Sequence, residues 1–287
     1  MSSPPVVLPS VPWPVRLTVA GTRLLGPVLP SVAEAVAYRL AFFVRPVPRP
    51  AWETALMDSA DDHVLLPWRG GHLAAWSWGT GRTVVLSHGW EGRGTQLGKL
   101  VEPLVAAGFR VLAYDAPGHG ASTVKRASLP DLAEALARVG QHTGPVHAVV
   151  GHSLGAAAAT LAASRGFTAE RYALIAPPTD SQDYFDTLQR LLALPDAVHA
   201  RVIARAEQEL HITVAELALL PHAPKLTAPA LIVHDEDDKE VAASHGIALA
   251  GSWPGSELLL THGLGHRRVL KDAAVLEHVV RFLAEER

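Results

Sequence analysis

The sequence predicts an α/β fold with a mostly parallel central sheet and helices on both faces. Three observations lead there. Short apolar, β-branched runs alternate with runs of helical period through the middle of the chain, the rhythm of units that lay parallel strands side by side. A Gly151-His152-Ser153-Leu154-Gly155 pentapeptide lies between one such strand and an alanine-rich helix, where a sharp turn lifts a serine hydroxyl clear of the sheet. Between about Thr179 and Leu226 the strand rhythm gives way to helical patterns alone, and it resumes at Leu231. That break predicts a helical insertion between two strands.

Met1–Val15 is uncharged and proline-rich; it reads as an irregular arm and lacks the basic start and smooth apolar centre of a signal peptide. A helix follows. Ser31-Val32-Ala33-Glu34 fits a capping box, Val32, Val36, Leu40 and Phe43 recur on one face, and Pro46 stops the run; this face is expected to pack on the core, with membrane contact or dimerisation as the alternatives. Val64-Leu65-Leu66 and Leu73-Ala74-Ala75-Trp76 read as antiparallel strands around Arg69-Gly70-Gly71. A helix after Trp90 turns Leu97, Leu100, Val101, Leu104 and Val105 inward and ends at Gly108. Another follows Ser128 with Leu132, Leu136 and Val139 inward. Pro145–Val150 reads as a buried strand, and Ala156–Ala163 as a helix closed by Gly166. Ala173–Ala176 is the next strand, closed by Pro177-Pro178. The insertion carries Tyr184, Leu188, Leu191 and Leu192 on one helix and Val202, Ile203, Ala206 and Leu210 on another. Strands at Leu231 and Leu258-Leu259-Leu260 and a helix over Val275–Leu283 complete the chain. The expected layout is an arm and helix over 1–50, a core over 51–178 and 227–287, and a helical insertion over 179–226.

Composition narrows the function. With 287 residues, 48% hydrophobic and 18% charged, the chain supports a large core. A net charge of −3 without a basic tract argues against nucleic acid as a partner. No uncharged apolar run reaches the ~20 residues of a bilayer span. There is no cysteine, which removes disulfides, thiolate catalysis and cysteine–zinc sites and fits a cytoplasmic protein. Oligomeric state is left open.

From about Val64 to the C-terminus the chain resembles the α/β-hydrolase family, on motifs in that family's order. Thr83–Ser87 followed by His88-Gly89-Trp90 is similar to the strand and H-G turn of its oxyanion loop. Asp115-Ala116-Pro117-Gly118-His119-Gly120-Ala121-Ser122 is similar to its D-x-P-G-x-G-x-S loop. Ser153 lies in its G-x-S-x-G elbow, Leu231–Asp238 resembles the strand and loop bearing a triad acid, and Gly265-His266 resembles the glycine–histidine that ends the triad.

The resemblance makes the 179–226 insertion a small helical cap, and it implies a serine hydrolase of carboxylic esters that forms an acyl-serine, with no cofactor. A serine hydroxyl needs a base, and the base an orienting acid. Ser153 is the expected nucleophile, His266 the base and Asp238 the acid. Asp235, Glu236 and Asp237 are alternative acids; otherwise they belong to a solvated loop, and Asp235 stands where the family commonly has glycine. The backbone N–H groups of Trp90 and Leu154 are the implied oxyanion donors. Trp90, His152 and Tyr184 are candidate substrate contacts, while His88, His119 and His152 also suit turn hydrogen bonds and pocket walls. His262 and His266 are four apart, but on a glycine-bearing loop and not a helix, so no metal site is expected. Alternatives on the same triad are thioesterase, amidase, C–C hydrolase or cofactor-free haloperoxidase-like activity. A non-catalytic small-molecule-binding protein is the alternative of another class.

Overall fold

A computed structural model describes Gly21, residues 28–123 and residues 126–285. The proline-rich arm expected over Met1–Val15 lies outside the described residues. Two compact units emerge. The described part of Met1–Phe43 joins Asp180–Ala218 in one, and Val44–Thr179 joins Leu219–Arg287 in the other.

The larger unit is built on eight strands: β1 (Asp62–Trp68), β2 (Gly71–Trp78), β3 (Arg82–Ser87), β4 (Phe109–Tyr114), β5 (Val146–His152), β6 (Arg171–Ile175), β7 (Ala230–Asp235) and β8 (Glu257–Thr261). Their order is β1-β2-β4-β3-β5-β6-β7-β8. The β1–β2 and β2–β4 pairs are antiparallel, and every other pair is parallel. Every residue of β5, β6 and β7 is buried, as strands covered on both faces must be, which explains their unbroken apolar runs. The chain runs from β3 to β4 on one side and then crosses to β5 on the other. The crevice beyond the ends of β3 and β5 is therefore a topological switch point, where open α/β sheets place ligands.

The helices of this unit follow from local chemistry. β1 and β2 close through Arg69-Gly70, both at positive φ, as a two-residue hairpin turn requires. In chain order α1 (Pro30–Ala41) belongs to the smaller unit and α2 (Ala51–Asp58) opens the larger one. The helix expected after Trp90 splits into a 3₁₀ segment, Gly94–Leu100, and a short α3 (Val101–Ala106). Pro103 has no N–H to give to the Lys99 carbonyl, so the α-helical ladder does not run through. In α4 (Leu129–Thr143) Ser128 caps the Asp131 N–H, and Leu132, Leu136 and Val139 turn inward. In α5 (Leu154–Ser164) the residues from Gly155 to Ala162 are all buried; a helix enclosed all round needs small side chains and no polar face.

In the smaller unit, α1 packs with α6 (Ser181–Leu192) and α7 (Asp196–Leu210). The expected capping box at Ser31–Glu34 does not form. Leu29 is the N-cap, with no side-chain cap bond, and Pro30 sets the first turn. Arg201 of α7 draws off both members of the box, reaching the Ser31 Oγ at 3.2 Å and the Glu34 carboxylate at 2.8 Å. The face of α1 that enters this core is Ala33, Ala37, Tyr38 and Ala41, not the larger apolar stripe. Val32, Leu40 and Phe43 stay exposed, at 51%, 37% and 48%. The alanines, four residues apart, allow close approach to Val198, Val202 and Ala206, which bulkier side chains would prevent. On α6 Phe185 is buried while Tyr184 is exposed. In the larger unit α8 (Ala243–Ser252), a four-residue α9 (Gly265–Arg268) and α10 (Ala273–Ala284) follow β7 and β8. Among the described residues no helix is long and apolar enough to cross a membrane.

Candidate active site

Ser153 sits between β5 and α5 at φ 52° and ψ −126°, a conformation that costs a non-glycine residue about 1–3 kcal/mol. The surrounding structure holds it there. The Ser153 N–H donates to the Ile175 carbonyl on β6 at 2.8 Å, and its carbonyl accepts from Ala156 and Ala157 at the start of α5. Gly155 is fixed by close approach: a Cβ there would lie 2.2 Å from the Ser87 carbonyl oxygen.

The His88-Gly89-Trp90 turn leaves β3 beside this one. Ser87 is in register with Gly151, and a Cβ on Gly89 would lie 2.8 Å from the Ser153 Cβ. Only a glycine allows the loop past the serine, and it brings the Trp90 backbone alongside. A Gly92 N–H to Gly89 carbonyl bond of 3.0 Å closes the turn. Two imidazoles brace it. His88 donates from Nδ1 to the Gly89 carbonyl at 2.7 Å and accepts the Ala116 N–H on Nε2 at 2.9 Å. His119 donates from Nδ1 to the Pro117 carbonyl at 2.8 Å and accepts the Glu91 N–H on Nε2 at 3.1 Å. An imidazole that both donates and accepts is neutral. Burial, helped for His88 by the nearby His119, pushes both well toward that form. Trp90 is half-buried, edge-on to His119 with ring centroids 5.4 Å apart.

The structure gives each of the four acids after β7 a different partner. Asp238 takes His266, whose Nδ1 lies 2.7 Å from its Oδ2. Its other oxygen accepts the Glu240 and Val241 N–H groups at 2.8 and 3.0 Å. Burial works against ionisation of Asp238, but the hydrogen bonds from His234 and His266 prevail and hold it well below the usual carboxylate range. Asp237 accepts the Gly263 N–H at 2.9 Å, and Glu236 pairs with exposed His262. Asp235 is buried, contrary to the reading of these extra acids as a solvated loop. It accepts from the Leu264 and Gly265 amides and from the Thr261 hydroxyl.

His152, just before Ser153, lays its ring against that of His266 with centroids 4.7 Å apart and donates from Nε2 to the His266 carbonyl at 2.9 Å. Burial, together with the neighbouring His266, lowers its pKa to about 3. The residue before Ser153 thus touches His266 directly. Tyr184, in the smaller unit, donates its hydroxyl to the Ala41 carbonyl at 2.6 Å. No group of three or more metal-ligating side chains comes together among the described residues, and His262 and His266 part to different acids.

The profile described as "Alpha/beta hydrolase family" matches residues 84–278, more than half of the chain. The chain belongs to the alpha/beta hydrolase family. Many solved structures share the fold. A hydrolase from Pseudomonas aeruginosa PA01 superposes with a TM-score of 0.63 at 20% identity, over 79% of this chain and 100% of the other. An esterase from Exiguobacterium antarcticum gives 0.60 at 16% identity, over 77% and 98%. A bromoperoxidase from Bacillus anthracis gives 0.60 at 17%, over 78% and 99%. No curated protein matches the chain.

One feature of this alpha/beta hydrolase escaped sequence reasoning. Arg93 clasps buried Glu53 of α2 through two bonds of 2.6 Å. Thr95 donates to the same carboxylate at 2.7 Å, and Arg49 spans Thr95 and Asp115. Asp115 also accepts the Gly94 and Ala121 N–H groups, each at 2.7 Å. The network anchors the segment after the His88-Gly89-Trp90 turn. Its side-chain to side-chain bonds join residues 40 to 66 apart that share no motif, so only Asp115, in the D-x-P-G-x-G-x-S stretch, carried any signal.

Proposed function

We propose that this protein is a serine hydrolase that cleaves carboxylic esters of small molecules through an acyl-serine, with Ser153, His266 and Asp238 as the catalytic residues. The observation that carries the reading is the 2.7 Å contact between His266 Nδ1 and Asp238. With the Nδ1 proton given to a carboxylate, the Nε2 lone pair is left to act as base. Ser153 Oγ attacks the ester carbonyl carbon as His266 takes its proton. The Trp90 and Leu154 backbone N–H groups, which meet no protein acceptor among the described residues, receive the oxyanion. The C–O bond to the leaving alkoxide then breaks as His266 returns the proton. Water attacks the acyl-serine by the same route and releases the acid. Trp90, beside the serine, is the proposed contact for the acyl group.

The test is fluorophosphonate labelling with peptide mass spectrometry, alongside p-nitrophenyl esters of increasing chain length. Label on Ser153 with multiple turnover is expected, and Ser153→Ala should lower kcat by about 10⁴-fold or more. Folded wild-type protein without label or turnover would overturn the reading and favour a non-catalytic binding protein. Turnover that survives Ser153→Ala would overturn it as well.

A further inference from the structure

Asp235 ends β7 opposite Thr261, the last residue of β8, and its side chain turns into the loop that leads to His266. Oδ1 accepts the Gly265 N–H at 2.8 Å and the Asp237 N–H at 3.1 Å. Oδ2 accepts the Thr261 hydroxyl at 2.8 Å and the Leu264 N–H at 3.0 Å. Four donors converge on one buried carboxylate. The loop it grips needs a grip, since Gly263 and Gly265 both sit at positive φ and such glycines leave a chain many alternatives. Two acids divide the work on one residue: Asp238 takes the imidazole, and Asp235 takes the two amides immediately before it. The His266 carbonyl on the far side is held by His152.

We propose that Asp235 is a positioning residue, fixing the backbone from which His266 presents its ring to Asp238 and Ser153. This rests on the reading of His266 as the catalytic base. The hydrogen bonds hold the carboxylate below its usual range despite its burial, so it remains a full acceptor at neutral pH. Without it the loop keeps its sequence but loses its fixed path. A displacement of about 1 Å at a catalytic group can cost about a hundredfold in rate.

The experiment compares full-length wild type with Asp235→Asn. An asparagine turns an NH₂ toward one pair of donors and so surrenders half the grip. Three quantities are read: kcat and KM on p-nitrophenyl butyrate, the second-order rate of fluorophosphonate labelling at Ser153, and deuterium exchange at the Leu264 and Gly265 amides. The expected result is a fall of about tenfold to a hundredfold in kcat and labelling rate per folded molecule, with KM within about twofold and faster exchange at the two amides. A lower melting temperature with wild-type kcat and labelling rate would make Asp235 merely structural and overturn the proposal. If Asp235→Asn does not fold, wild-type exchange decides: slow exchange at both amides is expected, and free-loop rates would overturn it. Wild type that never labels at Ser153 brings down the catalytic reading and this proposal together. Normal wild-type labelling with an unaffected variant brings down this proposal alone.

Discussion

His88, His119 and His152 are buried imidazoles whose pKa values burial lowers, for His152 to about 3. In the unfolded chain each titrates near about 6.5. Above that pH both states are neutral and the folded state bears no penalty. As pH falls below it the unfolded chain gains protons the folded chain refuses, so each ring lowers stability, His152 by about 1 kcal/mol per pH unit down to its folded value of about 3. Asp238 behaves in the usual carboxylate sense: its depressed pKa contributes stability above about pH 4 that is lost as pH falls further. Guanidinium unfolding midpoints should therefore decline steeply from pH 7.5 to pH 5, before any carboxylate titrates. A flat profile over that interval would show that these rings are solvated or charged in the folded protein.

At the scale of elements, the elbow depends on how closely α5 meets the end of β3. The atoms nearest a Cβ on Gly155 are the backbone oxygens of Ser87 and His88, at 2.2 and 2.4 Å, and backbone cannot swing aside like a flexible side chain. Gly155→Ala should destabilise the protein by about 1–3 kcal/mol and slow fluorophosphonate labelling of Ser153. Equilibrium denaturation of the variant checks the first effect, and wild-type stability would mean that α5 stands off from β3. The same rule of close approach explains α1, where small residues won the interior and larger ones were left outside.

At the scale of the whole larger unit, the ionic network ties α2, the segment after the His88-Gly89-Trp90 turn and the loop after β4. Glu53 is 2% exposed and the Arg93 side chain 12%. Removing one partner of such a pair leaves the other charge desolvated and alone, which costs about 3–5 kcal/mol. Glu53→Ala should therefore lower the unfolding free energy by about 3 kcal/mol, measurable by denaturant titration. A change below about 0.5 kcal/mol would place Arg93 in contact with water instead.

Read alone, the amino-acid sequence determined what depends on neighbours along the chain. The apolar runs marked β5, β6 and β7, the helical period marked α4, α6 and α7, and the order of the Ser153, Asp238 and His266 motifs was plain, because propensity, periodicity and turn chemistry act over a few residues. Tertiary structure decided whatever depends on distant partners. Four acids stood together after β7, and only the path of the 261–266 loop assigned Asp238 to the imidazole, Asp235 to the backbone, Asp237 to Gly263 and Glu236 to His262. The face of α1 that is buried depended on the closeness of α7, and the Ser31–Glu34 box was lost to Arg201, 170 residues from Ser31. A hydrogen bond or a packing contact is chosen by proximity in space, and sequence spacing encodes proximity only within an element.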